Sequence, residues 1–93
     1  MKQPTIVAYL NPYCGWTQGV ISVLHKHGLE FEYRDVAANP ADFEEMMRKT
    51  GQTSAPCVEI DGHMLADVGG TEVEAWMRQN GVIGALRSGQ QFE

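Results

Sequence analysis

The 93-residue sequence predicts an α/β domain with the element order β-α-β-α-β-β-α, a right-handed parallel unit followed by a hairpin and a covering helix. Three observations carry this expectation. Thr5 to Leu10 is an almost unbroken apolar run, as a central strand covered on both faces requires. Two segments, Gly15 to His27 and Pro40 to Thr50, repeat apolar side chains at three- and four-residue steps. Asp61-Gly62 separates two short strand-like runs and is a dipeptide preferred in two-residue hairpin turns. Together they describe a four-stranded mixed sheet with helices on both faces.

The elements follow in order. After the first strand, Trp16, Val20, Val23, Leu24 and His27 form the apolar stripe of a first helix, which Gly28 stops. Leu29-Glu-Phe-Glu-Tyr-Arg34 alternates strictly, placing Leu29, Phe31 and Tyr33 on one face of a half-buried strand near a sheet edge. Asn39 is the N-cap and Pro40 the first residue of a second helix, with Phe43, Met46, Met47 and Thr50 on its buried side and Gly51 beyond its end. Pro56 to Ile60 and His63 to Val68 make the hairpin. Thr71-Glu-Val-Glu74 has the form of a capping box and opens a last helix through Val73, Trp76 and Met77 that stops near Asn80-Gly81.

This length supports one domain, expected over residues 1–84, with a polar, frayed tail over 85–93. No apolar stretch is long enough to span a bilayer and the N-terminus lacks a signal-peptide pattern, so a soluble, cytoplasmic protein without a membrane partner is expected. Net charge is −5 with scattered basic residues, which disfavours nucleic-acid binding. The two cysteines and His25, His27 and His63 lack zinc-type spacing, so no metal site made of protein ligands alone is expected. His25 and His27, two residues apart, point to different sides of their helix and are assigned surface or boundary roles.

Cys14 is the residue to which chemistry is assigned. It lies in Tyr9-Leu-Asn-Pro-Tyr-Cys14-Gly-Trp-Thr17, where the first strand ends and the first helix begins. A thiol there meets unpaired backbone N–H groups and the positive end of the helix dipole, both favouring the nucleophilic thiolate. The competing reading is a small buried cysteine with a packing role.

Four landmarks in a fixed order then become specific: a strand ending at Tyr9 before Cys14, Gly28 after the helix, Thr53-Ser-Ala-Pro56, and Gly69-Gly70 before the last helix. In this set the chain resembles the glutaredoxins of the thioredoxin-fold superfamily, over about residues 4 to 80. The resemblance implies that Cys14 is the first cysteine of a C-x-x-C motif whose second position is Thr17, giving a single-thiol C-G-W-T site similar to the C-G-F-S of monothiol glutaredoxins. It further implies a cis Pro56, with the Ala55 N–H and C=O free to pair with the extended backbone of glutathione. By the same resemblance, Thr71 and Glu72 meet the γ-glutamyl end of glutathione at the last helix N-terminus, and Tyr13 and Trp16 flank the ligand. Gln52, or Lys49, is offered to its glycyl carboxylate, with an ordinary solvated side chain as the alternative for each. Thr17 either supports the Cys14 thiolate with its hydroxyl or bonds back to the helix backbone. Glu72 either engages the ligand's amino group or complements the helix dipole.

The sequence also departs from the family. Asn11 stands where many glutaredoxins have a lysine three residues before the nucleophile, and Leu65-Ala-Asp-Val68 is about three residues longer than the corresponding family segment. Cys57 is expected to be a buried structural thiol, because strand alternation turns it away from the face that Pro56 presents to Cys14.

The function expected is a glutathione-linked thiol-disulfide oxidoreductase or deglutathionylase, monomeric, with glutathione as co-substrate and glutathionylated or disulfide-containing proteins as partners. Two alternatives stay open. One is a carrier holding an iron-sulfur cluster between two protomers through Cys14 and glutathione. The other is a noncatalytic thioredoxin-fold binding module.

Overall fold

A single sheet forms around the apolar run near the N-terminus. The computed structural model describes residues 3–84; the tail expected over 85–93 lies outside the described residues. Strand β1 (Ile6–Leu10) is flanked by β2 (Glu32–Asp35), parallel to it, and by β3 (Cys57–Ile60), antiparallel, with β4 (His63–Leu65) beyond β3. The order β2-β1-β3-β4 leaves β1 paired on both sides, and its near-continuous apolar character has the physical reason anticipated: both faces are covered. Ile6, Ala8 and Leu10 meet helices α1 (Gly15–Lys26) and α3 (Gly70–Gln79) through Val20, Leu24, Val73 and Met77. On the opposite face Tyr9 and Cys57 pack with Val36 and with Met46 of α2 (Pro40–Thr50).

Local chemistry sets the element ends. The Asn39 side chain accepts the Ala41 N–H at 3.1 Å, Pro40 occupies the first helical turn, and Gly51 ends α2 in the left-handed conformation. Asp61 and Gly62 have φ of 49° and 87°, the two positive values that a type I′ hairpin turn demands.

Four sequence expectations are corrected. Tyr33 does not share the buried face with Leu29 and Phe31, because β2 begins only at Glu32 and Tyr33 stays 44% exposed. Trp16 is 68% exposed, and the first turn of the α1 stripe is filled instead by buried Thr17. The last hairpin strand ends at Leu65. The Val68 N–H then reaches the Pro56 carbonyl at 2.9 Å, one residue out of the β3–β4 register, with Asp67 between them at a positive φ of 55°. The extra residue bends the chain out of the sheet as a bulge does.

The capping box also moves. Helix α3 starts after Gly69, and Glu72 rather than Glu74 reaches back, accepting the Gly69 N–H at 2.9 Å. Glycine is required here by packing: a Cβ on Gly70 would lie 2.7 Å from the Gly19 carbonyl carbon, and one on Gly69 would lie 2.9 Å from the Trp16 ring. The glycine pair is therefore the place where α3 comes down onto α1.

Glu74, freed from capping, bonds across that same helix pair to Lys26 at 2.8 Å and His27 at 2.7 Å, with Arg78 at 3.7 Å. Lys26, then His27, hold its carboxyl down at about 2 against an ordinary value of 4.5. A carboxylate depressed in the folded state contributes stability above its unfolded pKa and loses it as pH falls through the folded one. Lys26 is largely solvated and screens part of the effect. Denaturant titrations of wild type and Glu74→Gln should therefore differ by about 1 to 2 kcal/mol at pH 7, with the gap narrowing between about pH 5 and pH 2. A gap independent of pH would mean that Glu74 acts through packing alone.

Candidate active site

Sheet topology brings three loops together. Because Tyr9 pairs with Cys57, the segment leaving β1 and the segment entering β3 emerge side by side, and the bulge at Asp67 returns the chain to them as α3 begins. Cys14 arrives on the first segment, Ala55 and Pro56 on the second, and Asp67 to Glu72 on the third.

Asn11 organises the first loop. Its side-chain oxygen accepts the Tyr13 N–H at 2.8 Å, and its carbonyl accepts both the Cys14 N–H at 3.0 Å and the Thr17 hydroxyl at 2.6 Å. Asn11 thus serves as the loop's hydrogen-bonding hub. Cys14 becomes the N-cap of α1, partly accessible, with its thiol making no side-chain cap bond to the helix. Thr17 is corrected on both readings: its hydroxyl proton goes to the Asn11 carbonyl, not to the Cys14 sulfur and not to the helix backbone behind it. It is a positioning residue that ties the helix start to the end of β1.

The Ala55–Pro56 peptide is cis, as the resemblance implies. The Cys14 sulfur lies 3.9 Å from the Ala55 carbonyl oxygen, at the outer reach of a thiol hydrogen bond. Among the described residues no other hydrogen bond uses the Ala55 N–H or C=O. Pro56 also forms one wall of a cleft of about 220 Å³ whose other walls are Trp16, Asp67, Val68, Gly69 and Glu72. Glu72 combines two tasks: its carboxylate caps α3, as the dipole reading holds, while its side chain lines the cleft. Gly70, Thr71 and Glu72 are the first three residues of α3, the positions whose N–H groups have no partner within a helix. Tyr13 is 88% exposed, on the same turn as Cys14.

Two expected ligand contacts are engaged elsewhere. The Gln52 amide donates to the Ser54 carbonyl at 2.8 Å and to Cys57 Sγ at 3.3 Å, while its oxygen accepts the Ser54 N–H at 2.7 Å. It braces the loop ahead of the cis-proline from within. Lys49 lies on the α2 face, bonded at 3.1 Å to both the Tyr9 hydroxyl and Glu59 and at 3.3 Å to Glu45; these partners push its pKa up.

Cys57 is fully buried in the α2-side layer, donating to the Ser54 carbonyl at 3.1 Å, and burial pushes its thiol pKa up. Both cysteines are free. No group of three His, Cys, Asp or Glu with metal-binding geometry occurs among the described residues. No helix there is long and apolar enough to cross a membrane.

Asp67, Val68 and Gly69 were not legible as site residues, because Leu65-Ala-Asp-Val68 reads as strand. The signal available was Asp67 itself, a residue that tolerates positive φ, interrupting the run just before two glycines.

Known structures place this arrangement. The thioredoxin-like protein BC3987 superposes with a TM-score of 0.69 at 24% identity, covering 76% of this chain and 97% of its own. The buckwheat glutaredoxin, solved as a complex with glutathione, gives 0.64 at 21% identity, with 85% and 72% covered. The Brucella melitensis glutaredoxin gives 0.62 at 23%, with 87% and 85% covered. These likenesses establish the fold. No curated protein sequence matches the chain significantly. The sequence model of the glutaredoxin family matches residues 5–65, which hold the strand that delivers Cys14, the helix it caps and the hairpin carrying the cis-proline. By that match and the shared four-stranded fold, the chain belongs to the glutaredoxin family.

Proposed function

We propose that the protein is a glutathione-linked thiol-disulfide oxidoreductase that works with one thiol, Cys14. The observation that carries this reading is the isolation of Cys14: it stands at the helix start beside the free Ala55 backbone, Thr17 occupies the place of a second cysteine, and Cys57 is sealed in the opposite layer. Family membership supports thiol redox chemistry, and the glutathione complex of a structurally similar glutaredoxin supports glutathione as ligand.

The chemistry is two exchanges. The Cys14 thiolate attacks the glutathione sulfur of a protein mixed disulfide; the new S–S bond forms on Cys14 while the old one breaks, and the protein leaves as thiolate and takes a proton from water. A second glutathione, as thiolate, then attacks the Cys14 adduct and departs as oxidised glutathione. The enzyme ends unchanged: one free glutathione thiol is oxidised as the target thiol is reduced, and the glutathione already on the target supplies the other half of the oxidised dimer.

The extended glutathione backbone pairs with Ala55 as an added strand, its γ-glutamyl carboxylate sits against the first N–H groups of α3 at Gly70, Thr71 and Glu72, and Trp16 covers one side. Two free cysteines fit a reducing compartment such as the cytoplasm.

A glutathionylated peptide offered without free glutathione tests the mechanism. One equivalent of peptide thiol should be released per enzyme, the protein stopping with glutathione on Cys14, and added glutathione should restore steady turnover. Release of glutathione together with the peptide thiol, leaving an intramolecular protein disulfide in place of the Cys14 adduct, would show that a second protein thiol closes the cycle.

A further inference from the structure

We propose that Gln52 is a positioning residue for glutathione: held inside the loop ahead of Pro56, it sets the orientation of the backbone edge at Ala55 with which the ligand pairs. The proposal deepens the preceding function and rests on it.

The loop between α2 and β3 is not built from backbone pairing. Gln52, Thr53, Ser54 and Ala55 make no backbone–backbone hydrogen bond among the described residues. Their bonds pass through side chains instead, and most of them meet at Gln52. Its side-chain oxygen accepts the Ser54 N–H at 2.7 Å while its amide donates to the Ser54 carbonyl at 2.8 Å, so one planar amide clamps both backbone polar groups of one residue. The same amide reaches Cys57 Sγ at 3.3 Å, and the Cys57 thiol donates to that Ser54 carbonyl at 3.1 Å. Behind Gln52 stands Thr50, in the last turn of α2. Its hydroxyl donates to the Met46 carbonyl at 2.7 Å and accepts the Gln52 backbone N–H and side-chain amide, each at 3.3 Å. The clamp is thus seated on the end of α2.

Peptide geometry extends the clamp to the ligand edge. The Ser54 carbonyl and the Ala55 N–H belong to one trans peptide unit and so point in opposite directions. Two donors, from Gln52 and the buried Cys57, draw the carbonyl toward the α2-side layer. The Ala55 N–H is thereby turned away from that layer, where no described group accepts it. Rotation of the Ser54–Ala55 unit would swing this donor off an extended ligand. The Cys14 thiol, carried by a different loop and held through Asn11, would stay where it is. Gln52 therefore acts on glutathione binding and not on the exchange itself.

The test isolates the first exchange by mixing the intact protein with a glutathionylated peptide, without free glutathione, and following peptide-thiol release by rapid quench over a range of peptide concentrations. Gln52→Ala should raise the half-saturating concentration about five- to tenfold and leave the limiting rate within about twofold of wild type, because binding is lost equally in the ground and transition states. The same rise should appear with a peptide carrying γ-glutamylcysteine, which lacks the glycyl carboxylate, in place of glutathione. Thr50→Val should raise the half-saturating concentration about two- to threefold, while Thr50→Ser, which keeps the hydroxyl, should match wild type. The Thr50 pair decides the question if Gln52→Ala does not fold. An unchanged half-saturating concentration in Gln52→Ala and Thr50→Val, or a fall in limiting rate alone, would overturn the proposal. So would a loss confined to glutathione and absent with γ-glutamylcysteine, which would make Gln52 a direct contact to the glycyl carboxylate. Absence of peptide-thiol release by wild type would instead overturn the oxidoreductase reading itself.

Discussion

Cys14→Ser should lower glutathione-dependent disulfide reduction by about three orders of magnitude or more, to the uncatalysed background, while leaving the fold in place. The size of the loss follows from chemistry. A serine hydroxyl is not ionised near neutral pH and cannot form the mixed disulfide on which both exchanges depend, and no second cysteine stands within the turn to replace it. Preservation of the fold follows from geometry. Cys14 is partly accessible, and its sulfur makes only the 3.9 Å approach to Ala55, so an oxygen of similar size removes little packing. Denaturant unfolding of this variant should match wild type within about 0.5 kcal/mol. Cys57→Ala provides the contrast. It opens a void in a fully buried layer and should destabilise the domain by about 1 to 2 kcal/mol, yet retain turnover, because that thiol faces away from the exchange. Coupled spectrophotometric turnover with a small glutathione mixed disulfide reads all three proteins.

Gly70→Ala should produce the largest loss of stability, about 3 kcal/mol or more, together with weakened glutathione binding. A methyl group there overlaps the Gly19 carbonyl group and also comes within 3.0 Å of Val23, so the added volume meets helix backbone rather than a side chain that can swing aside. Relief requires α3 to move off α1, which opens the contacts of Val73 and Met77 with the main core and carries the first N–H groups of α3 away from the cleft. The reverse substitution separates proximity from mere glycine content. A methyl on Gly19 would lie 3.6 Å from the Gly70 nitrogen, an ordinary contact, and glycine inside a helix is unfavourable by about 0.5 to 1 kcal/mol against alanine. Gly19→Ala should accordingly be neutral or slightly stabilising. Equal effects of the two substitutions, measured by denaturant unfolding, would contradict the close helix crossing.

Where local pattern and tertiary need coincide, the sequence was readable. The run Thr5–Leu10, the Asn39-Pro40 start and Gly51 stop of α2, and the Asp61-Gly62 turn each state a requirement of their own backbone, and each appears as expected. The chain was less legible where an element's position depends on a distant partner. Thr71-Glu-Val-Glu74 satisfies the capping pattern, but α3 begins two residues earlier because Gly69 and Gly70 alone let it pass Trp16 and Gly19. Trp16 fits the helical period and is nevertheless exposed, since the first turn of α1 overhangs the cleft rather than the core. Cys14 and Pro56 were identifiable through the family resemblance, and topology then explains why they meet the start of α3. Gln52 and Lys49, offered for glutathione, are already engaged within the protein. Polar side chains near a cleft carry no sequence mark showing that Ser54, Tyr9 or Glu59 already holds them.

The central claim is that Cys14 works without a resolving cysteine in its own chain, and its most direct test is the mass of the protein after exposure to oxidised glutathione, followed by non-reducing peptide mapping. Wild type should gain one glutathione, located on Cys14, with Cys57 recovered as a free thiol, and Cys14→Ser should gain none. A dominant Cys14–Cys57 disulfide, or an adduct that persists in Cys14→Ser, would contradict the account.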